Sequence, residues 1–289
     1  MALNKSRLYW FMNRFLKKIN FFKLSYRLSV ILSSSVTAKN MTEALASIYS
    51  NAGAKPDVVR ALAKQTILEA KKILPLTHKE NQIRKKIDFL REAIVKNLGV
   101  RTDAIYENIK QWIIGDRILD LGSGAGDIGE RIKTKIAKNV VLADTDNFNK
   151  TNLPFVLYDG NKLPFGDKYF DTVLLITVLH HTYNYINILQ EAKRVASRII
   201  IIETIYGGEA VSELRENLNR TIFLDWFYNR VLLNYDIDIP CNFATEQEWC
   251  ARFSSFGLAI VYSRKMEFGA LVPFLNHQLF VLNSSGAQM

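Results

Sequence analysis

From Ile118 onward, short apolar runs recur along the chain, and stretches with helical spacing separate them. Ile118, Leu119 and Leu121 form the first run, followed by Val140-Val141-Leu142-Ala143, Phe155-Val156-Leu157, Thr172-Val173-Leu174-Leu175-Ile176 and Arg198-Ile199-Ile200-Ile201-Ile202. Several of them are apolar throughout rather than alternating, which is the pattern of strands buried on both faces. Between them, Asp127, Ile128, Glu130, Ile132 and Ile136 repeat at helical spacing, as do residues from Ile186 to Val195. Strand and helix in alternation predict an α/β fold with a parallel sheet. Two later runs, Ile260-Val261-Tyr262 and Gln278 to Leu282, follow a helix expected from Glu246 to Phe256.

Residues 1–112 carry a different pattern. Leu8, Phe11, Met12, Phe15, Leu16 and Ile19 make an apolar stripe at three- and four-residue spacing, with Arg7, Arg14, Lys17 and Lys18 off it. This predicts a basic amphipathic helix, with Trp10, Phe21 and Phe22 adding aromatic bulk. A serine break at Ser33-Ser34-Ser35 follows, then charged helical stretches such as Lys79 to Lys96, and Gly115 closes the region. The expected organisation is an arm over residues 1–42, a helical region over 43–111 and an α/β domain over 112–289. An aromatic-rich insertion at about 207–246 holds Phe223, Trp226, Phe227, Tyr228 and Phe243, and reads equally as a lid or as an ordinary packing element.

Charge sharpens this division. The 289 residues carry a net charge of +10, yet Lys5, Arg7, Arg14, Lys17, Lys18, Lys23, Arg27 and Lys39 fall in the first 42 residues with no acidic residue among them, leaving +2 for the rest. Three readings of the arm stand side by side: contact with an anionic membrane surface through residues 1–32, packing on the protein's own core, and a mitochondrial presequence. Charges interrupt the apolar runs before Leu28, which argues against a secretory signal, and no run is long enough to span a bilayer. Nucleic acid ranks last as a partner, because the body of the chain has almost no excess positive charge. Cys241 and Cys250, with His78, His180, His181 and His277, show no metal-ligand spacing, so no metal is expected. Two thiols without a disulfide pattern suit a reducing compartment, so a cytoplasmic location is expected.

The candidate chemistry sits where the first strand ends. Asp120-Leu121-Gly122-Ser123-Gly124-Ala125-Gly126-Asp127 places a carboxylate before alternating glycines and then a helix, a turn that lets backbone approach a ligand closely. Gly124-Ala125-Gly126-Asp127-Ile128-Gly129 also spells a dinucleotide-binding fingerprint, with Asp144 about 20 residues on as a ribose partner. A purely structural glycine turn is the remaining alternative.

The acidic residue and three glycines resemble the first motif of class I S-adenosylmethionine-dependent methyltransferases. Further segments agree: Val141-Leu142-Ala143-Asp144, Tyr158-Asp159-Gly160, Leu163-Pro164-Phe165, Phe170-Asp171 and Leu179-His180-His181. The last is similar to the subgroup that includes ubiquinone- and menaquinone-biosynthesis and small-molecule methyltransferases. The resemblance covers roughly residues 112–283 and implies a Rossmann-like seven-stranded sheet, mostly parallel with an antiparallel final strand, preceded by the helical N-terminal region. It implies S-adenosyl-L-methionine as the methyl donor, held by Asp120, Gly122, Ser123, Gly124, Gly126, Asp144, Thr145, Asp159, Gly160 and Thr177. Asp144 would bind the ribose and Asp159 the adenine, whereas Asp171 is expected to satisfy local backbone.

His180 and His181 are candidate general bases, and Glu203 is a candidate for orienting the acceptor or capping a loop. The expected acceptor is a small molecule or lipid. RNA or protein methylation, and a noncatalytic cofactor-binding subunit, stay as alternatives. Ala196-Ser197 stands where family members often have a Pro-Gly-Gly turn.

Overall fold

A computed structural model describes residues 20, 22–74, 80–136, 138–235, 237–266, 268 and 274–284. The predicted stripe from Leu8 to Ile19 lies outside these residues, as does His78. Two compact units emerge, and the chain passes from one to the other more than once. The described residues up to Lys96 together with Gly208–Cys241 form a helical unit, and Asn97–Gly207 with residues 242 onward form an α/β unit.

Seven strands make the sheet of the α/β unit: β1 (Arg117–Leu121), β2 (Asn139–Asp144), β3 (Phe155–Leu157), β4 (Phe170–Ile176), β5 (Ala196–Ile205), β6 (Leu258–Met266) and β7 (Asn276–Ser284). Their order is β3-β2-β1-β4-β5-β7-β6. The first five pair in parallel, and β7 runs antiparallel to both β5 and β6. This is the expected Rossmann-like sheet. Strand order reverses between β1 and β4, the place where ligands gather at the carboxyl ends of strands in open α/β sheets.

Alternate side chains explain why the central strands are apolar throughout. Leu119, Leu121, Val173, Leu175, Ile199, Ile201, Phe280 and Leu282 fill one buried cluster together with Leu189, Ala192, Trp249 and Phe253. The last four come from α6 (Tyr185–Val195) and α8 (Glu246–Ser255). The residues between them, among them Ile118, Leu174, Ile200, Ile202, Leu279 and Val281, are buried as well. Helix α8 starts with a reciprocal cap, in which Thr245 Oγ1 accepts from the Glu248 amide while Glu248 accepts from the Thr245 amide. The strand before it in sequence, β5, is longer than expected at both ends, because its pairing with β7 extends from Arg198 to Ile205.

Gly115 has a physical reason for its place. It adopts φ of +65°, and a Cβ there would fall 2.2 Å from Asp171 Cβ. Asp171 Oδ2 accepts from the amides of Asp116 and Arg117 at 2.9 Å each, and Oδ1 accepts from the Arg117 guanidinium at 3.0 Å. Chiefly through Arg117, its carboxyl is held down at about 2. Asp171 therefore ties β4 to the entry of β1, as expected of a residue satisfying local backbone.

In the helical unit, residues 22–33 form α1, followed by α2 (Ser35–Asn51) and α3 (Pro56–Ile73). Helix α4 (Glu80–Ile109) outruns the charged stretch expected at Lys79 to Lys96 and passes through Gly99, contributing its first part to this unit. Ser34 caps α2 by accepting from the Thr37 amide. The serine break is thus a helix start. The aromatic stretch of the expected insertion forms α7 (Val211–Trp226), which ends in a π-helical turn at Phe227–Leu232. Phe223, Trp226 and Phe227 are fully buried, and α7 packs in the same compact unit as α2.

Candidate active site

Register sets the site. Leu121 lies opposite Ala143 in the parallel pair β1–β2, so the glycine loop leaves β1 beside the end of β2. The Gly122 and Ser123 amides both donate to the Ala143 carbonyl, at 2.8 and 3.3 Å, and the Gly126 amide donates to the Ser123 carbonyl at 2.9 Å. Gly122 has φ of +75°, and a Cβ there would stand 2.6 and 2.7 Å from the Val178 methyl carbons. No larger residue fits without moving Val178. That close approach also joins the loop to the turn that follows β4.

Asp144, at the end of β2, reaches across to the loop. Its Oδ2 accepts from the Gly124 amide at 2.9 Å and its Oδ1 from the Thr145 amide at 2.7 Å. Burial pushes its carboxyl upward, and these amide bonds oppose the shift. Gly124 itself has φ of +52° and no atom within 4 Å of where a Cβ would be. Ser123 Oγ is buried without a hydrogen-bond partner among the described residues. An open approach over one glycine beside an orphaned hydroxyl is the arrangement a polar ligand would complete.

Asp120 occupies a different position from the rest of the proposed ligand set. It is 2% exposed, and its Oδ2 accepts from the Gly129 amide in α5 (Asp127–Ile136) at 3.1 Å. Burial raises its carboxyl to about 7. This residue fastens β1 to the helix that follows the loop.

The end of β3 comes alongside. The Tyr158 amide donates to the Asp144 carbonyl at 3.1 Å, and a Cβ on Gly160 would lie 3.5 Å from Thr145 Cγ2. Asp144, Thr145 and Gly160 are therefore neighbours. The Asp159 carboxylate is exposed and accepts from the Asn161 amide, the Asn161 side chain and the Lys162 amide, which hold it below the usual carboxylate range. Asn187, which the sequence did not single out, donates to the carbonyls of Gly160 and Asn161 at 3.0 and 2.6 Å. A mid-helix asparagine gives no pattern by which to find it.

At the end of β4, Thr177 adopts φ of +57°, a left-handed conformation unusual for a β-branched residue. Its amide donates to the Ile202 carbonyl at 2.6 Å. The turn Leu179–His181 follows. Glu203, fully buried in β5, closes on this turn: Oε1 accepts from the amides of Val178 and Leu179 at 3.0 and 2.7 Å, and Oε2 lies 2.5 Å from His180 Nδ1. An oxygen pair already accepting two amide hydrogens acts as acceptor, so the His180 proton sits on Nδ1 and Nε2 is the atom that can take a further proton.

His180 is 1% exposed, stacks on Phe243 at 4.8 Å and lies 4.1 Å from the His181 ring. Glu203 therefore caps the turn after the neighbouring strand and fixes a histidine. The loop following its own strand, where the sequence suggested a capping role, is not what it holds. Asn242 adds a bond to the Thr182 carbonyl.

Residues 119–198 match the family described as "Methyltransferase domain". They belong to the class I S-adenosylmethionine-dependent methyltransferases. The methyltransferase segment lies wholly within the α/β unit. Among curated proteins, an uncharacterized protein of Methanocaldococcus jannaschii, MJ1123, is 32% identical over 142 residues, 49% of this chain and 64% of that protein. The ubiquinone/menaquinone biosynthesis C-methyltransferase UbiE of Coxiella burnetii is 26% identical over 136 residues, 38% of this chain and 54% of that one. The chain thus spans between about half and two thirds of the length of these relatives. Among solved structures, the YcgJ protein of Bacillus subtilis aligns with a TM-score of 0.47 at 15% identity, over 64% of this chain and 99% of its own.

Proposed function

We propose that this chain transfers a methyl group from S-adenosyl-L-methionine to a small or lipid-like acceptor, working at a membrane surface. The observation that carries this reading is the junction at Gly122 and Val178, which sets the glycine loop with its Asp144 bridge directly against the turn that bears the Glu203–His180 pair.

The residues fit the methyl donor. Ser123 Oγ lacks a partner among the described residues, Gly124 faces open space, and Asp144 presents a carboxylate for vicinal hydroxyls. Asp144, Thr145 and Gly160 would hold the nucleoside part, with the exposed Asp159 at its edge. When bound, S-adenosylmethionine supplies an activated methyl group on a sulfonium sulfur. The protein's task is alignment, since methyl transfer is an in-line displacement, and proton removal where the acceptor carries an acidic hydrogen. Glu203 holds the His180 ring and fixes its proton on Nδ1, which leaves Nε2 to accept the acceptor's proton. Stacking on Phe243 keeps that ring in plane and dry.

A lipid-like acceptor draws support from the basic, acid-free first 42 residues and from the relative named for ubiquinone/menaquinone biosynthesis. No described helix is long and apolar enough to cross a membrane, so the association proposed is peripheral.

The test is calorimetry with S-adenosylmethionine, S-adenosylhomocysteine and NAD, followed by transfer of labelled methyl to a lipid extract, to RNA and to protein. Binding of the first two ligands and label in the lipid fraction is the expected result. Binding of NAD alone would overturn the donor, and label appearing only in RNA or protein would overturn the acceptor. With an acceptor in hand, His180→Asn, whose amide can still bond Glu203, should lower turnover about 100-fold or more while donor affinity stays within a few-fold.

A further inference from the structure

Helix α1 buries one side and presents a second apolar side to solvent. Leu24, Leu28, Ile31 and Leu32 are all at most 5% exposed and anchor the helix in its unit. Phe22, Tyr26 and Val30 are 64%, 67% and 53% exposed. Spacing of four residues in a helix brings these three into one row, turned well away from the buried side. A helix that needed only to pack on its own core would carry polar residues there. Lys23 and Arg27, both exposed, run along the edge of the row, and the next turn of chain adds exposed Val36 and Lys39 on α2. The first acidic residue of the chain is Glu43.

We infer that the row Phe22, Tyr26 and Val30, with Lys23 and Arg27 beside it, is the surface through which the protein lies on an anionic lipid bilayer. This deepens the membrane reading above and rests on it, because it names the docking face within a folded helix rather than assigning the contact to the basic arm at large. Aromatic and branched side chains at this depth enter the boundary between headgroups and acyl chains, and flanking cations meet the negative headgroups. Charge complementarity selects the occupant: the face is cationic and apolar without a carboxylate of its own, which suits phosphatidylserine-type headgroups over a neutral surface. Tyr26 and Phe22 supply area at the row's start, and Leu24 and Leu28 hold the opposite side, so the helix would lie flat instead of inserting end-on.

The experiment is sedimentation of the full-length protein with vesicles of phosphatidylcholine alone or with about a third phosphatidylserine, at low and high salt. The intact protein should bind the anionic vesicles and release from them as salt rises. Phe22→Asp with Tyr26→Asp should lower the bound fraction about 10-fold, and Lys23→Glu by a smaller factor, whereas Phe22→Leu with Tyr26→Leu should retain most of it. Unchanged circular dichroism and S-adenosylmethionine affinity separate these results from misfolding.

If the intact protein ignores both kinds of vesicle, the membrane reading and the surface fall together. If it binds and the double aspartate variant binds equally well, the surface alone is overturned. A dimer that the double aspartate variant converts to monomer would place a second copy of the chain on the row, and would also overturn the proposal.

Discussion

The α/β unit and the helical unit are held together in different ways. Around the candidate site, the decisive polar contacts in the α/β unit run from buried carboxylates to backbone amides: Asp120 to Gly129, Asp144 to Gly124 and Thr145, Glu203 to Val178 and Leu179. Each fixes the course of a loop at the end of a strand. In the helical unit the contacts run between side chains and helix ends. Arg84 donates to the carbonyls of Val231 and Arg230 at 2.7 and 2.8 Å, Arg91 to Leu232 at 2.9 Å, and Arg230 pairs with Glu80 at 3.0 Å. These satisfy the carbonyls left open at the end of the π-helical turn. One unit thus spends its polar groups on shaping a site, and the other on joining segments distant in sequence. The lesson is that the same chemical groups do positional work in one unit and architectural work in the other.

The comparison can be broken most severely at Glu203. Glu203→Ala strands two buried amides and the His180 ring, each at a cost on the order of 1–3 kcal/mol, so a large drop in melting temperature is expected. A variant that melts like the parent would remove Glu203 from its role as the pin of the site.

Next in size, Asp144→Ala should weaken S-adenosylmethionine binding by about 1–3 kcal/mol while changing stability less. Calorimetry against thermal unfolding separates the two effects, and unchanged affinity would dissolve the ribose assignment. Arg84→Ala should do the reverse. It removes two charge-assisted bonds to helix-end carbonyls, costs about 1–3 kcal/mol of stability and leaves donor affinity untouched. A loss of affinity with no loss of stability would show that the division of labour between the units is wrongly drawn.

The smallest effect is a slope. Asp120 has a carboxyl raised from 3.8 to about 7 in the folded chain. The fold therefore holds a proton there that the unfolded chain releases, so this residue's contribution to stability falls as pH rises from about 4 to about 7 and is level above that. Asp120→Asn should flatten stability against pH across that window, as measured by denaturant titrations at a series of pH values.

Much of the α/β unit was legible because its signals are local. Strands buried on both faces are apolar throughout, helices follow at their own spacing, and a glycine loop at a strand end is written in consecutive residues. The Gly122 to Gly126 loop, the carboxylate at the end of β2 and the histidine pair after β4 could be picked out without coordinates. Glu203 was visible as a candidate, but its partners were not, because His180 is 23 positions away in sequence and meets it only through the β4–β5 register. Asn187 and Asn242 had no pattern at all, since their role is to bond carbonyls of loops that other elements bring near. The long α4 was cut short in the sequence reading because its charged surface positions end before its helical geometry does.

By itself the sequence determined the class of fold, the turn that faces the cofactor and the concentration of charge in the first 42 residues, because each is carried by neighbouring residues and by side-chain chemistry that does not depend on what lies across from it. Only the tertiary structure decided that Glu203 holds His180, that Asp120 faces its own helix, that α7 shares a compact unit with α2, and that Phe22, Tyr26 and Val30 look outward. Those are outcomes of strand register and of which side of a helix finds a partner, and both depend on contacts between residues far apart in the chain.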